Sequence, residues 1–439
     1  MRVLLVGSGG REHAIAEALK RSGAEIYSVI SNRNPGIIRL SESYKVCDIC
    51  DTEAVSIFAE KKDVSLGIIG PEAPLSAGLV DVLEARGIKC ANPKKSLALI
   101  ETDKAFCRDL MARYGIKGGI EFHIFLNMED AFAFIDKSEK DYVIKPAGLT
   151  GGKGVKVMGE HLHSKDEAKA YIKEIFDMRI GTVQKLVIEE RLVGEEFTMQ
   201  VFTDGEKVVP MPLVQDHKRA FDGDVGPNTG GMGSYTDSNH MLPFVSQKDY
   251  DAALEIIKET VSALKKETGF PYKGALYGQF MLTKEGPKVI EFNARLGDPE
   301  AMNVLSLLES DFLEILKSIN NGGLGEVKFT KKASVCKYLV PAGYPDSPKR
   351  GASVNVDEKA IKDLGASVFY ASVEKEGKRI VTTGSRSLGV VGLGDSIEEA
   401  ERIAEQAASA INSNLFHRKD IGTRELVEKR VAHMQEVRK

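Results

Sequence analysis

The sequence predicts an α/β protein in three parts: an N-terminal doubly wound parallel sheet, a central unit rich in glycine loops, and a small C-terminal α/β unit. Three observations carry this prediction. Short apolar strands alternate with helical spacing over the first hundred residues, the texture changes at Thr102, and Ser396-x-x-Glu399 caps an amphipathic helix in a last α/β stretch. A chain of 439 residues fits about three units of roughly 100–200 residues each.

In the first unit, Val3–Val6 form an apolar strand that ends in Gly7-Ser8-Gly9-Gly10. Ala14, Ile15, Ala18 and Leu19 then recur at helical spacing, and Gly23 stops that helix. Further strands are expected at Ile26–Ile30 and Leu66–Ile69, with a helix from Ser76 to Leu83. Ligands of doubly wound sheets bind beyond the carboxyl ends of the strands, so Gly7–Arg11 and Pro71–Glu72 should share one crevice. His13 follows the first turn; its position fits either that crevice or packing.

Composition excludes several classes. Lys and Arg total 60 against 64 for Asp and Glu, a net charge of −4, so no broad basic face awaits nucleic acid or an anionic membrane. No apolar run approaches the roughly 18 residues of a membrane span, and the opening MRVLLVG is too short for a signal peptide. Five cysteines are an odd count, which suits a reducing cytoplasm better than a disulfide framework. Cys47-x-x-Cys50 has no second Cys/His pair near it and reads as structural, and His161 and His163 read as surface residues. Gly7-x-Gly9-x-x-Glu12 lacks the third glycine of a dinucleotide fingerprint, and the second strand ends at Asn32 rather than an acid; a nicotinamide-dependent oxidoreductase is therefore the weaker reading.

The segment Gly274–Ala301 is the most informative. The strand period puts Val289, Glu291 and Asn293 on one face. A hairpin turning around Glu285-Gly286 sets Gln279 opposite Glu291. Three oxygen-bearing side chains then converge without His or Cys, a pattern suited to Mg²⁺ completed by substrate phosphates. A plain half-exposed strand is the alternative. Arg295 points to the same face and is placed to steady a transferring phosphoryl group. Asp298 and Pro299 read as the N-cap and first position of the next helix, whose N-terminus favours anions.

Two more segments bear on phosphate and nucleotide. Lys145–Gly154 carries four glycines and two lysines in ten residues, suited to cradling phosphates, although its spacing is not that of a P-loop. Glu189, Glu190 and Leu192 sit where a strand runs into a linker, and Glu196 follows within reach of a ribose.

A lysine-bearing helix, a strand with a glycine loop, an E-E-x-L linker and a terminal E-x-N hairpin, in that order, resemble the ATP-grasp superfamily. GSGGREHA (7–14), GPEAPLSAG (70–78), GGKGV (151–155), QDHKRAFDGDVGPNTGGMGSY (215–235), EFNARLGDPEA (291–301) and RKDIG (418–422) together resemble the phosphoribosylamine–glycine ligase family. The resemblance spans nearly the whole chain. It departs from the family pattern at Pro146 and Ala147, and at Gln279, where the family usually has glycine.

The resemblance implies a phosphoribosylamine-binding domain over 1–102, an ATP-grasp domain over 103–329 with 118–192 as its lid, and a C-terminal domain over 330–439. It implies ATP and Mg²⁺, or Mn²⁺ in its place, with glycine and 5-phosphoribosylamine as substrates, in purine biosynthesis in the cytoplasm. A monomer is expected, and neither nucleic acid nor membrane is a partner. Lys104 and Lys145 would hold phosphates beneath Gly151, Gly152, Lys153 and Gly154. Glu189 and Leu192 would meet adenine, and Glu196 the ribose. Gln279, Glu291 and Asn293 would bind the metal. Gly9, Gly10, Arg11, Glu12, Pro71 and Glu72 would face phosphoribosylamine. Asp216, Lys218, Arg219, Asn228, Thr229, Gly230, Gly231, Met232, Gly233 and Asp298 would shape the amino-acid and acyl-phosphate pocket. Arg295, Lys145 and Asp216 are the candidate catalytic groups. Another ATP-grasp carboxylate–amine ligase is the alternative within the same class.

Overall fold

The structure is a computed structural model and describes residues 1–150, 154–181 and 183–439. The N-terminal sheet has five parallel strands in the order Ser41–Val46, Glu25–Ile30, Arg2–Val6, Leu66–Ile69, Lys89–Cys90. The chain winds to one side of Arg2–Val6 and then to the other, so the switch point lies at its carboxyl end, beside that of Leu66–Ile69. Two strands were not foreseen. Ser41–Val46 is a polar edge strand in which every second residue is exposed, and Lys89–Cys90 is only two residues long. The expected helix from Ser76 to Leu83 is two helices, Glu72–Ala77 and Leu79–Ala85, because Gly78 takes a left-handed φ of 88° between them.

The central region holds two antiparallel sheets. One orders Phe122–Phe125, Leu186–Glu190, Tyr142–Pro146 and Lys156–Val157, with helices Met128–Lys137 and Lys165–Asp177 packed over it. It has its own core, including Ile135, Ile144, Tyr171, Ile172 and Ile188. The other orders Val208–Pro210, Glu195–Thr203, Gly274–Thr283 and Gly286–Asn293. The linker after Glu190 joins the two.

The terminal hairpin turns at Lys284-Glu285, with Thr283 facing Gly286 and Phe280 facing Val289. The register then shifts by one residue, Ile290 bulges, and Gln279 comes to face Glu291 as expected. The bulge corrects one expectation: Val289 does not share a face with Glu291. Val289 joins Phe280 and Phe292 in the core, while Gln279, Glu291 and Asn293 turn to the other side.

A third sheet runs Gln215–Asp216, Gly233–Thr236, Ala333–Pro341, Leu388–Gly394 and Ala366–Tyr370. Its first two strands come from the central region and the rest from the C-terminal region. His13 packs rather than lining the crevice. It is buried, its Nδ1 accepts from the Tyr370 N–H at 2.8 Å, and its ring meets Phe369 edge-on.

Candidate functional site

A cleft of about 1080 Å³ opens between the two central sheets, the carboxyl ends of the N-terminal strands and the C-terminal region. Lys104, Lys145, Glu196, Asp216, Lys218, Gln279, Glu291, Asn293, Arg295 and Asp298 all line it. The sequence motifs, far apart in the chain, therefore meet in one place.

On the side of the sheet that holds Tyr142–Pro146 and Leu186–Glu190, Lys145 Nζ lies 2.5 Å from Glu189 Oε2, and Arg108 Nε lies 2.7 Å from Oε1. Burial alone would raise the Glu189 carboxyl; Arg108 and Lys145 outweigh it and hold the group down at about 2. Arg108 also donates to the carbonyls of Val289 and Ile290 at 3.0 and 2.7 Å. The Glu189 carboxylate is thus paired to two cations, and the residue lines the cleft. Leu192 stands half-buried on the linker, two residues before Gly194, and does not itself line the cleft. Lys104 donates to the Gly148 carbonyl at 3.2 Å, and burial lowers its pKa. Gly151, Gly152 and Lys153 lie outside the described residues; Gly154 is buried and its carbonyl accepts from the Tyr171 hydroxyl at 2.8 Å.

On the hairpin side, Gln279 Nε2 donates to Glu196 Oε2 at 2.5 Å, and Gln279 Oε1 is buried without a hydrogen-bond partner. Asn293 Nδ2 is 3.4 Å from Glu291 Oε1. Removal from water raises the Asp216 carboxyl, and Glu196 and Glu291 add to it. Burial would lower Lys218, but Glu196, Asp216 and Glu291 overcome this and raise it. An orphaned amide oxygen within a field of carboxylates suits a hard divalent cation. Among the described residues no three His, Cys, Asp or Glu side chains group as a metal site, so the fit rests on amide oxygens beside Glu291 and on phosphates a nucleotide brings.

Between these walls, Arg295 Nη2 is 2.8 Å from Glu101 Oε1 and 3.2 Å from Asn293 Oδ1, and its Nε is 3.4 Å from Glu72 Oε2. Burial pushes the Glu101 carboxyl up to about 7, with Arg295 pulling it back and Glu72 pushing it on. Arg295 is therefore held from two sides before any substrate arrives.

Three family models cover the chain in order: the N domain of phosphoribosylglycinamide synthetase over residues 1–101, its ATP-grasp (A) domain over 102–301 and its C domain over 334–424. The phosphoribosylamine–glycine ligase of Methanobrevibacter smithii is 53% identical over 437 residues, covering 100% of both chains. That of Pyrococcus horikoshii is 52% identical over 439 residues, covering 100% of this chain and 98% of its own. The chain belongs to the phosphoribosylamine–glycine ligase family. A crystal structure of phosphoribosylamine–glycine ligase from Thermotoga maritima has a TM-score of 0.82 at 31% identity, covering 96% of this chain and 100% of that one. The biotin carboxylase domain of Hydrogenobacter thermophilus 2-oxoglutarate carboxylase, solved with MgADP and bicarbonate, shares the fold alone, with a TM-score of 0.75 at 13% identity over 99% of this chain and 93% of that one. The nicotinamide alternative is set aside. Among the described residues no helix is long and apolar enough to cross a membrane.

Within this ligase-family cleft, several expected contacts move. Arg11, Pro71 and Glu72 line it; Gly9, Gly10 and Glu12 do not. Glu12 is buried, with Oε2 accepting from the Gly9 N–H at 2.5 Å and Oε1 paired with Arg11 at 2.5 Å, so it holds the turn. Gly10 packs against Tyr338. Asn228, Thr229 and Gly230 line the cleft. Met232 is fully buried in the core, and a Cβ on Gly233 would come 2.2 Å from the Cys336 carbonyl, so both serve sheet packing rather than substrate. Gly231 passes close to Pro299 with φ 108°. Arg219 lines the rim and pairs with Glu160. Asp298 makes no cap. Its Oδ1 accepts from the Tyr338 hydroxyl at 2.6 Å and its Oδ2 is 3.3 Å from Arg386, and Pro299, expected at the first helical position, is instead the N-cap of helix Glu300–Leu307, with no side-chain cap.

Sequence reasoning missed Arg108, Glu101, Glu300 and Arg386. Arg108 stands four residues after Lys104 on one helix, so the helical period alone put both on the same side. Glu300 accepts from the Tyr277 hydroxyl at 2.9 Å, and burial together with Asp216 raises its carboxyl. Arg386 donates to the carbonyls of Gly231 and Asp298 at 3.1 and 3.0 Å. Nothing in its local string, GSRS, distinguishes it from a turn residue.

Proposed function

We propose that this cleft joins glycine to 5-phosphoribosylamine at the expense of ATP, giving glycinamide ribonucleotide, ADP and phosphate. The chain is an ATP-dependent ligase of its family. The observation that supports the substrate-level reading is the meeting of Lys104, Lys145 and Arg295 with Gln279, Glu291 and Asn293 on one cleft.

Lys145, oriented by Glu189, and Lys104 take the nucleotide phosphates as point charges. Gln279, Glu291 and Asn293 would hold a divalent cation, Mg²⁺ or Mn²⁺ in its place, which when bound neutralises charge on the phosphate chain. A carboxylate oxygen of glycine attacks the γ-phosphorus, the bond to the β–γ bridging oxygen breaks, and ADP leaves. Arg295 lies where negative charge builds during this transfer. The amine of phosphoribosylamine then attacks the glycyl carbon, inorganic phosphate leaves, and the amine gives up a proton. Asp216, its carboxyl raised, faces this region as a proton acceptor. The phosphoribosyl group lies toward Arg11, Pro71 and Glu72 at the sheet's switch point. No protein nucleophile is needed; catalysis is alignment and charge compensation.

The test is ADP release. It should require both glycine and phosphoribosylamine, and Glu291→Ala should abolish it. Release with bicarbonate or formate in place of glycine would assign a different ligase reaction.

A further inference from the structure

The last helix, Arg424–Val437, begins at the final residue of the matched C domain and runs past it, yet Lys429, Arg430, Ala432, His433 and Glu436 line the cleft. Leu426 and Met434 are buried; the helix contacts strands Glu195–Thr203 and Gly274–Thr283 of one central sheet, and Arg438 pairs at 2.6 Å with Asp249 of helix Gln247–Thr268. We propose that this helix is a working wall of the nucleotide side of the cleft. In it Arg430 is a positioning residue that fixes Glu196 through Glu195, and Asp216–Lys218 through Asp224.

The geometry runs in two directions from one guanidinium. Arg430 Nη1 is 3.2 Å from Glu195 Oε2, and Nη2 pairs with Asp224. His433 Nδ1 takes the other oxygen of Glu195 at 2.6 Å. Glu195 is buried, and the next residue, Glu196, turns its carboxylate to Gln279 and Lys218. Gln215 completes this arm, donating to the Glu196 carbonyl at 3.0 Å. In the other direction, Asp224 also meets Arg418 at 2.9 Å and His217 at 3.7 Å. His217 is buried between Asp216 and Lys218 in the chain, and its N–H donates to the Gly233 carbonyl at 2.9 Å. A helix that only docked would need Leu426, Met434 and Arg438. Arg430 instead spans the two segments that carry Glu196 and Asp216. Removing it leaves Glu195 buried with one fewer cation, and a carboxylate in that state shifts or draws in water, moving Glu196 with it.

This inference rests on Glu196 facing the nucleotide, as proposed above. The experiment measures kcat and KM for ATP, glycine and phosphoribosylamine in the full-length Arg430→Met variant, together with its melting temperature. The expected result is a KM for ATP raised by about tenfold or more, the size expected for a truncated buried charge pair, with the KM for phosphoribosylamine changed less than about twofold. Arg430→Lys should recover part of the loss. All constants unchanged, or a loss of kcat that only tracks the unfolded fraction, would overturn the role and leave the helix structural. Should Arg430→Met not fold, Glu195→Gln, which keeps the shape, must reproduce the selective rise in KM for ATP, and its failure to do so overturns the inference. Wild-type protein lacking glycine-dependent ADP release would instead overturn the proposed function, a result visible before any variant is made.

Discussion

Arg108 and Glu189 are paired at 2.7 Å while the same guanidinium donates to the carbonyls of Val289 and Ile290. One arginine thus ties the strand that orients Lys145 to the bulge that turns Glu291 into the cleft. Glu189→Gln leaves Lys145 and Arg108 facing a neutral partner. Breaking a buried ion pair costs about 3–5 kcal/mol, so the melting temperature should fall by several degrees and the KM for ATP should rise. Thermal melts and ATP titration check this; an unchanged KM would show that Glu189 does not position Lys145.

The cation site is tested at Gln279, whose Oε1 is buried without a partner. Gln279→Leu keeps the bulk and removes the oxygen. Divalent-dependent nucleotide binding should weaken by about tenfold, on the order of 1.4 kcal/mol, while metal-free nucleotide binding changes little. Calorimetric titration of ADP with and without Mg²⁺ separates the two.

Acid stability should follow two groups. His13 is pushed by burial from 6.5 to about 3, and Glu189 is held from 4.5 down to about 2. Both folded values lie below the unfolded ones, so each contribution is complete above the unfolded value and is lost as pH falls. His13 acts first, between pH 6.5 and about 3, at up to about 1.4 kcal/mol per pH unit. His13→Gln should therefore flatten the dependence of melting temperature on pH between 6 and 4.5, a window above the one where Glu189 protonates.

Gly10 is a packing requirement. A Cβ there would come 2.5 Å from the Tyr338 hydroxyl, which is itself bonded to Asp298. Gly10→Ala should cost about 1–3 kcal/mol, as overpacking does, and reduce turnover through Asp298. Denaturant melts and steady-state kinetics measure both, and Tyr338→Phe, which removes the obstructing oxygen, should return part of the stability.

Much of this site was legible because its parts are local. A turn expected around Glu285-Gly286 set Gln279 against Glu291; the turn closes one residue earlier, at Lys284-Glu285, and the bulge at Ile290 restores that pairing, while the first βα turn marked the crevice at Arg11. The bulge at Ile290 was not legible, since it depends on where the turn closes and on Phe280 and Phe292 competing for the core. Asp298 followed the pattern of a cap, and lost that role to Tyr338 and Arg386, partners 40 and 88 residues away in the chain. The pairing of Glu189 with Arg108 and Lys145 was not legible because both cations come from other elements. Local rules find a residue's position, and burial with distant charges decides its work.

Strand Gly233–Thr236, which follows the substrate-pocket segment, is hydrogen-bonded along its length to Ala333–Pro341. A gene divided near codon 330 would therefore yield two polypeptides that each expose raw, pairing-hungry backbone, prone to precipitate before they meet. The covalent continuity of this reading frame is part of how the pocket stays intact.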